Sequence, residues 1–187
     1  MRLIPGLALS LLLMHPVSAP AQFLVQGSIG PTIVDSGHNL SYGFDPGLSL
    51  AAGLGFSPTP RLTLAVEVER TIRADQLRTD ARGDVFGFRG GTLTLATAEL
   101  RASLFGPDRV GPYGLVGVSA GVSQLRVTDR FPERVTHGVR ALTFGGGLQV
   151  PLGARTHVFV DGRMIIGTEA SELLAVTPIR VGLGWRF

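Results

Sequence analysis

Apolar residues recur at every second position in segment after segment of this chain. Between 48 and 56, for example, Leu48, Leu50, Leu54 and Phe56 alternate with small residues such as Gly53. A period of two is the period of a β-strand, whereas an amphipathic helix repeats every 3.6 residues. The segments are roughly 10–13 residues long, the length that a tilted strand needs to cross a bilayer. The pattern therefore predicts an all-β fold.

Eight segments show this alternation, and we expect each to form one strand. They lie near 22–34, 45–56, 61–73, 90–105, 111–127, 138–150, 155–166 and 176–187. The fourth segment changes phase between Leu95 and Ala98, which predicts a β-bulge near Thr97.

The connections between the segments alternate in length. Short turns rich in Pro and Gly occupy 57–60, 106–109 and 151–154, and longer loops occupy 35–44, 74–89, 128–137 and 167–175. Aromatic residues fall at the strand ends on the side of the short turns, namely Phe23, Phe56, Phe105, Tyr113, Trp185 and Phe187. Alternating connections and an aromatic girdle are typical of an eight-stranded antiparallel up-and-down transmembrane β-barrel.

The amino terminus reads as an export signal. Arg2 precedes an apolar run that ends in the small-residue site Ala19-Pro20-Ala21, so residues 1–21 are predicted to be a cleaved signal peptide and 22–187 one barrel domain. No later apolar stretch reaches the roughly 18 residues of a membrane-spanning helix. The net charge is only +3 and the charges alternate in sign, which does not favour nucleic-acid binding.

On each strand, the residues that alternate with the apolar ones form a second face. This face is small and polar, and it carries charges of both signs. This face is predicted to line a narrow lumen and to form a network of ion pairs. The residues of this predicted network are Glu67, Glu69, Glu99, Arg101, Asp161, Arg163, Arg180 and Arg186. The opposite face is nearly unbroken Leu, Val, Ile and Ala, which suits contact with lipid. A soluble lipocalin-like carrier would have the same period with its apolar face turned inward.

Two segments carry a resemblance to a known family. The stretch from Gly111 to Val118 and the closing stretch from Val181 to Phe187 resemble the small outer-membrane β-barrels of the OmpA-like and OmpX-like kind. The resemblance implies a location in the bacterial outer membrane, contact with its lipid, and recognition by the β-barrel insertion machinery. The implied insertion signal consists of Val181, Leu183, Trp185 and Phe187. We expect a monomer without a cofactor.

Residues that could carry chemistry are sparse. Some barrels of this size modify lipids, but His157 is followed by Val158 and Phe159 and so lacks the His-x-Ser arrangement of the lipid A deacylases. His38 and His137 fall in predicted loops, and the spacing of the four histidines does not predict a metal site. Arg82-Gly83-Asp84, a tripeptide that can engage integrins, is expected here by chance. Three classes remain: a structural or surface-interaction barrel without a wide pore, which we favour, a lipid-modifying enzyme, and a soluble ligand-binding barrel.

Overall fold

The computed structural model describes residues 22–36, 45–74, 76–79, 85–126 and 134–187. The predicted signal peptide, His38 and Arg82-Gly83-Asp84 lie outside these ranges. The described chain forms nine strands, all paired antiparallel. They are β1 (Gln22–Ser36), β2 (Asp45–Thr59), β3 (Leu62–Arg73), β4 (Gln76–Thr79), β5 (Val85–Ser103), β6 (Gly111–Arg126), β7 (Arg134–Pro151), β8 (Thr156–Glu169) and β9 (Glu172–Arg186).

Eight of these strands close into a barrel. Neighbours in sequence pair with each other, β9 returns to pair with β1, and β3 pairs with β5. The short β4 pairs only with β5 and extends the β3–β5 hairpin beyond the barrel wall. The predicted eight-stranded antiparallel barrel is therefore confirmed.

The strands are strongly tilted, as the register shows. A path of paired residues that starts at Leu62 on β3 passes Ala102, Gly114, Gly146, Gly162 and Ile179. It continues round through Pro31 and Leu48 to Ile72, so it returns to β3 ten residues from its start. A stagger of this kind requires strands inclined at about 35–45° to the barrel axis.

Three short connections lie at one end of the barrel, which we call the short-turn end. They are Pro60–Arg61, 104–110 and 152–155, and β1 begins and β9 finishes at the same end. The opposite end, which we call the loop end, carries the remaining connections. One of these differs from the prediction, because β8 and β9 are joined by only Ala170 and Ser171 rather than by a loop over 167–175.

The Ala170–Ser171 turn has positive φ at both positions, 48° and 73°. Two-residue hairpin turns of this kind match the twist of the strands, but they normally use Asn-Gly, so the Ala-Ser sequence gave no turn signal. The flanking strands impose the turn conformation instead. The inward-facing Leu174 and Val176 are fully buried and hold β9 in register up to Glu172.

Replacing Ala170-Ser171 by Asn-Gly is expected to raise the free energy of unfolding by about 1 kcal/mol, because both new residues adopt positive φ at lower cost. The midpoint of guanidinium unfolding measures the change. Ala154→Gly in another turn is the control, since Ala154 has no positive φ and should gain nothing. An unchanged or lower midpoint in the Asn-Gly variant would contradict the turn geometry.

Two further details of β5 differ from the predictions. The predicted loop 74–89 contains β4 and the first residues of β5. The predicted bulge near Thr97 is wrong: β5 pairs without interruption from Thr92 to Ala102, and the irregularity lies between Arg89 and Thr92. Leu93 and Leu95 do not change face. They point into the lumen with Thr97 and are each 1% exposed.

Candidate functional site

A network of buried ion pairs occupies the middle of the lumen, and Arg163 on β8 is one of its centres. Its Nη1 donates to Glu99 Oε2 at 2.7 Å and lies 3.0 Å from Glu67 Oε1. Its Nη2 donates to Asp161 Oδ2 at 3.1 Å. Arg163 thereby joins carboxylates from β3, β5 and its own strand.

Arg180 on β9 is the second centre. It donates from Nε and Nη2 to the two oxygens of Asp161, at 3.1 and 3.2 Å. Its Nη1 reaches across the lumen to Glu67 at 2.7 Å and to Glu69 at 3.2 Å. A guanidinium that makes a bidentate contact with one carboxylate is held in a fixed orientation. Arg180 is also only 1% exposed.

Arg101 on β5 completes the network toward the short-turn end. Its Nε donates to Glu99 at 2.5 Å, and its Nη1 donates to the side-chain oxygen of Gln26 at 2.6 Å. Gln26 in turn donates to Glu67 at 2.9 Å. The guanidinium also lies 5.8 Å from the ring centroids of both Tyr113 and Phe159, within the range of cation–π contact.

The structure thus brings together seven of the eight predicted residues, which we call the lumen charge network: Glu67, Glu69, Glu99, Arg101, Asp161, Arg163 and Arg180. It does not bring in Arg186, which lies at the last position of β9 and donates to the backbone carbonyl of Pro107 at 3.3 Å. Arg186 shares a strand face with Arg180 but sits too close to the short-turn end to reach the carboxylates.

The lumen charge network holds four carboxylates and three guanidiniums. Neutral side chains therefore donate further hydrogen bonds to the carboxylates. Three supply hydrogen bonds that the sequence analysis did not include: Gln26 to Glu67, Tyr113 to Asp161 at 3.2 Å, and Thr71 to Glu69 at 3.3 Å. The alternation of β1, β3 and β6 places all three on the inward face. The strand pattern could therefore have identified them.

Glycines make room for the bulky lumen side chains. Residues paired across neighbouring strands on the inward face repeatedly combine one large side chain with one glycine. The pairs are Gly53 with Glu67, Gly117 with Glu99, Gly145 with Arg163, Gly147 with Asp161, Gly182 with Phe159 and Gly184 with His157. A narrow barrel is filled by its own side chains. Here the glycines on β2, β6, β7 and β9 leave the space that the charged and aromatic residues of the paired strands occupy.

Two further layers fill the lumen between the lumen charge network and the loop end. The hydroxyls of Thr97, Ser119 and Thr143 form a chain with oxygen separations of 2.8 and 2.6 Å. Beyond them lies an apolar layer of buried side chains, which the sequence analysis did not anticipate. It consists of Val34, Leu93, Leu95, Val139, Ile165, Leu174 and Val176.

A second buried ion pair lies beyond the apolar layer. Arg73 on β3 is 3.6 Å from Glu169 on β8, on the opposite side of the lumen, and donates to Ser123 at 3.4 Å. Neither Arg73 nor Glu169 was among the predicted network residues, although both follow the inward alternation of their strands. The lumen is therefore occupied by side chains from the short-turn end to the loop end.

His157 does not form a catalytic set with neighbouring residues. It is 3% exposed, its ring packs over Gly184, and its centroid is 6.1 Å from that of Phe159. Its Nδ1 has no hydrogen-bond partner within the described part of the chain. His137 lies on β7 opposite Ser123 rather than in a loop. The described residues contain no cluster of His, Cys, Asp or Glu that could hold a metal ion.

The outer surface of the barrel is apolar. Large side chains on every barrel strand are exposed, including Leu54 at 66%, Leu142 at 61% and Val118 at 60%. Five of the six predicted girdle aromatics are exposed at the short-turn end, namely Phe23, Phe56, Phe105, Trp185 and Phe187. Tyr113 is a correction: it is 7% exposed and faces the lumen, because it shares the parity of Leu115 and Ser119 on β6. None of the described residues forms a helix long and apolar enough to cross a membrane.

The predicted insertion-signal residues lie on one outward face of β9. Val181, Leu183, Trp185 and Phe187 are 48, 53, 45 and 67% exposed. Phe187 is held at the seam of the barrel, since its backbone N–H donates to the carbonyl of Phe23 at 3.0 Å. These four side chains therefore form a continuous apolar strip along the pairing of the first and last strands.

Comparison with known proteins places the fold among small outer-membrane barrels. No protein-family model and no curated protein sequence matches the chain. Neisserial surface protein A is a similar solved structure, with a TM-score of 0.71 and 15% identity over 90% of this chain and 100% of that one. The outer membrane protein OprG of Pseudomonas aeruginosa gives 0.60 at 11% identity, covering 89% of this chain and 96% of its own.

The attachment invasion locus protein Ail of Yersinia pestis gives a TM-score of 0.56 at 13% identity, covering 90% of this chain and 100% of that chain. At such low identity these similarities establish the fold alone.

Proposed function

We propose that this chain is an integral β-barrel protein of the bacterial outer membrane with a structural or surface-interaction role. The proposal rests on an arrangement opposite to that of a soluble protein. Exposed Leu, Val, Ile and Phe surround the barrel, and the lumen charge network is buried inside. Such a surface is stable in lipid, where a closed barrel satisfies every backbone hydrogen bond of its wall.

This arrangement also argues against the soluble carrier. A lipocalin-like barrel keeps an apolar cavity and shows a polar surface to water. Here the apolar residues inside form two packed clusters, the layer near the loop end and a smaller cluster of Tyr113, Leu115 and Phe159 near the short-turn end. Charged and hydroxyl side chains fill the middle of the lumen. Contiguous apolar surface on this scale would cause a water-soluble monomer to aggregate.

The filled lumen supports a role without a wide pore. The lumen charge network, the hydroxyl chain and the apolar layer succeed one another along the barrel axis. The network and the apolar layer join side chains of opposite walls, and the hydroxyl chain links the neighbouring strands β5, β6 and β7. Eight-stranded barrels have interiors just wide enough for side chains. Specific contacts would then be made by the outside of the barrel and by its loop end, and two of the similar structures are named as a surface protein and an attachment invasion locus protein.

The lipid-modifying enzyme is the less favoured alternative. Acyl transfer needs a nucleophile hydrogen-bonded to a base and a third group that orients the base. The environment of His157 is a glycine and a phenylalanine ring. We therefore propose that the protein is not an enzyme, and that its partners are outer-membrane lipid and, during assembly, the insertion machinery, with the folded barrel remaining a monomer.

Heat-modifiable gel mobility of the detergent-extracted membrane fraction tests the proposal. The unboiled protein should migrate faster than the boiled one, because a closed barrel in detergent stays compact. The protein should also be recovered with outer membranes rather than with soluble periplasmic proteins. Recovery in the soluble fraction would overturn the lipid-facing assignment, and the carrier would then be the better hypothesis.

A further inference from the structure

The lumen charge network contains more negative than positive groups. Its four carboxylates face three guanidiniums, and the neighbouring ion pair of Arg73 and Glu169 is balanced by itself. With every group ionised, the network would hold one uncompensated negative charge in a lumen that is filled with side chains and surrounded by lipid. Such a charge is costly, and a buried acid takes up a proton instead. One of the four carboxylates is therefore expected to be neutral.

The four carboxylates differ in how many guanidiniums they contact. Glu67 contacts three, and Glu99 and Asp161 contact two each. Among the described residues, Glu69 contacts only the guanidinium of Arg180, at 3.2 Å. The same Arg180 nitrogen lies closer to Glu67, at 2.7 Å. A negative charge is therefore stabilised least on Glu69.

The other charged groups around Glu69 do not balance it. The ionisable side chains that face this part of the lumen are Glu67 and Arg73 on β3, Glu99 and Arg101 on β5, Tyr113 on β6, Asp161 and Arg163 on β8, and Arg180 on β9. The described inward residues of β1, β2 and β7 at this level are uncharged. Arg186 lies at the short-turn end and donates to Pro107. Within the described lumen, no cation is left over to balance Glu69.

A hydroxyl without a hydrogen-bond partner lies beside Glu69. Ser49 on β2 pairs with Thr71, and Ala51 pairs with Glu69, so Ser49 and Glu69 are diagonal neighbours on the inward face. Ser49 is fully buried, and its Oγ has no hydrogen-bond partner in the part of the chain that the structure describes. A neutral carboxylic acid carries one O–H donor, which an ionised carboxylate lacks. Ser49 Oγ is the acceptor that a neutral Glu69 needs.

We propose that the lumen charge network binds one proton, which Glu69 holds and donates in a hydrogen bond to Ser49 Oγ, so that the network is neutral in the folded barrel. Glu67, Glu99 and Asp161 stay ionised and balance the three guanidiniums. This inference goes beyond the proposed function, since it assigns a proton-binding site to the filled lumen.

Infrared spectroscopy of the chain, refolded in a non-ionic detergent without carbonyl groups, tests the proposal at neutral pH. A protonated carboxylic acid has a carbonyl stretching band that ionised carboxylates lack. The unmodified barrel should show this band, and Glu69→Gln should lose it. Glu169→Gln is the matched control, because it removes a buried carboxylate outside the network and should leave the band unchanged. Heat-modifiable mobility, recorded on the same samples, shows separately whether the barrel itself is formed.

The pH dependence of unfolding gives a second readout. An exposed glutamate is ionised above about pH 5, so unfolding above that pH releases the proton from Glu69. The unfolding equilibrium constant of the unmodified chain, divided by that of Glu69→Gln, should therefore rise with pH by up to about tenfold per unit until Glu69 ionises in the folded barrel. The ratio removes the contributions of the other titrating groups. Glu169→Gln should keep the pH dependence of the unmodified chain.

Four outcomes would overturn the inference. The absence of the band from the unmodified barrel, or a ratio that does not vary with pH, would mean that all four carboxylates are ionised. A band that persists in Glu69→Gln would place the proton on another carboxyl group. A band that appears only when sodium is replaced by choline at the same ionic strength would mean that a metal cation, rather than a proton, balances the network.

Discussion

Arg163→Ala is expected to lower the free energy of unfolding by about 3–5 kcal/mol, the cost of removing one partner from a buried ion pair. The substitution leaves Glu67, Glu99 and Asp161 without one of their guanidiniums, and Glu99 then depends on Arg101 alone. The lumen charge network already contains one more carboxylate than guanidinium, so the loss raises the repulsion among buried negative charges. Guanidinium unfolding of the protein refolded in lipid vesicles measures the change.

Two further variants make the result specific to the network. Arg109→Ala removes an exposed arginine from a turn and should change the unfolding free energy by less than about 0.5 kcal/mol. Glu99→Gln introduced into Arg163→Ala should cost less than it does in the unmodified chain, because Glu99 has then already lost one of its two guanidinium partners. Arg163→Ala as stable as Arg109→Ala, with unchanged heat-modifiable mobility, would show that these contacts do not hold the barrel together.

The architecture could be predicted from the sequence because a barrel wall imposes one simple rule. Every strand must alternate between lipid and lumen, so the period of two in β2, β3 or β9 is visible without any knowledge of the partner strands. The same rule assigned Glu67, Asp161 and Arg180 to the lumen. That they meet as one network depends on strand tilt and register, which bring residues of β3, β5, β8 and β9 to the same level.

Two assignments of side chains to the outer face were wrong because parts of the lumen are themselves apolar. Leu93 and Leu95 were assigned to the outer face because apolar residues on a barrel strand normally face lipid, and that assignment required a bulge near Thr97. Tyr113 was assigned to the girdle because it lies at a strand end on the side of the short turns, although its parity on β6 pointed inward. The Ala170–Ser171 turn lacked the usual residues because strand pairing on both sides sets its conformation. In these cases strand register and packing inside the lumen, rather than residue type alone, set the conformation.

The pairing of glycines with bulky side chains could not be predicted from the alternation, because it links residues on different strands. Gly147 on β7 faces Asp161 on β8, and an added Cβ would overlap the carbonyl oxygen of Val160 and lie 2.9 Å from the Asp161 Cα. Backbone atoms of a paired strand cannot move aside without disturbing the pairing. Gly184 on β9 differs, since the three atoms nearest to an added Cβ all belong to the His157 ring.

Gly147→Ala is therefore expected to lower the free energy of unfolding by about 1–3 kcal/mol, the usual cost of overpacking, and to slow refolding into detergent. Gly162→Ala on the outer face of β8 is the matched control, because nothing lies within 4 Å of its added Cβ, and its effect should stay within about 0.5 kcal/mol. Gly184→Ala should also destabilise the barrel, but by less in a His157→Ala background, where the ring is gone. Two results would contradict this reasoning: a cost of Gly147→Ala no larger than that of Gly162→Ala, or an effect of Gly184→Ala that His157→Ala does not reduce. Either would mean that the pairing of glycines with large lumen side chains does not limit how this barrel closes.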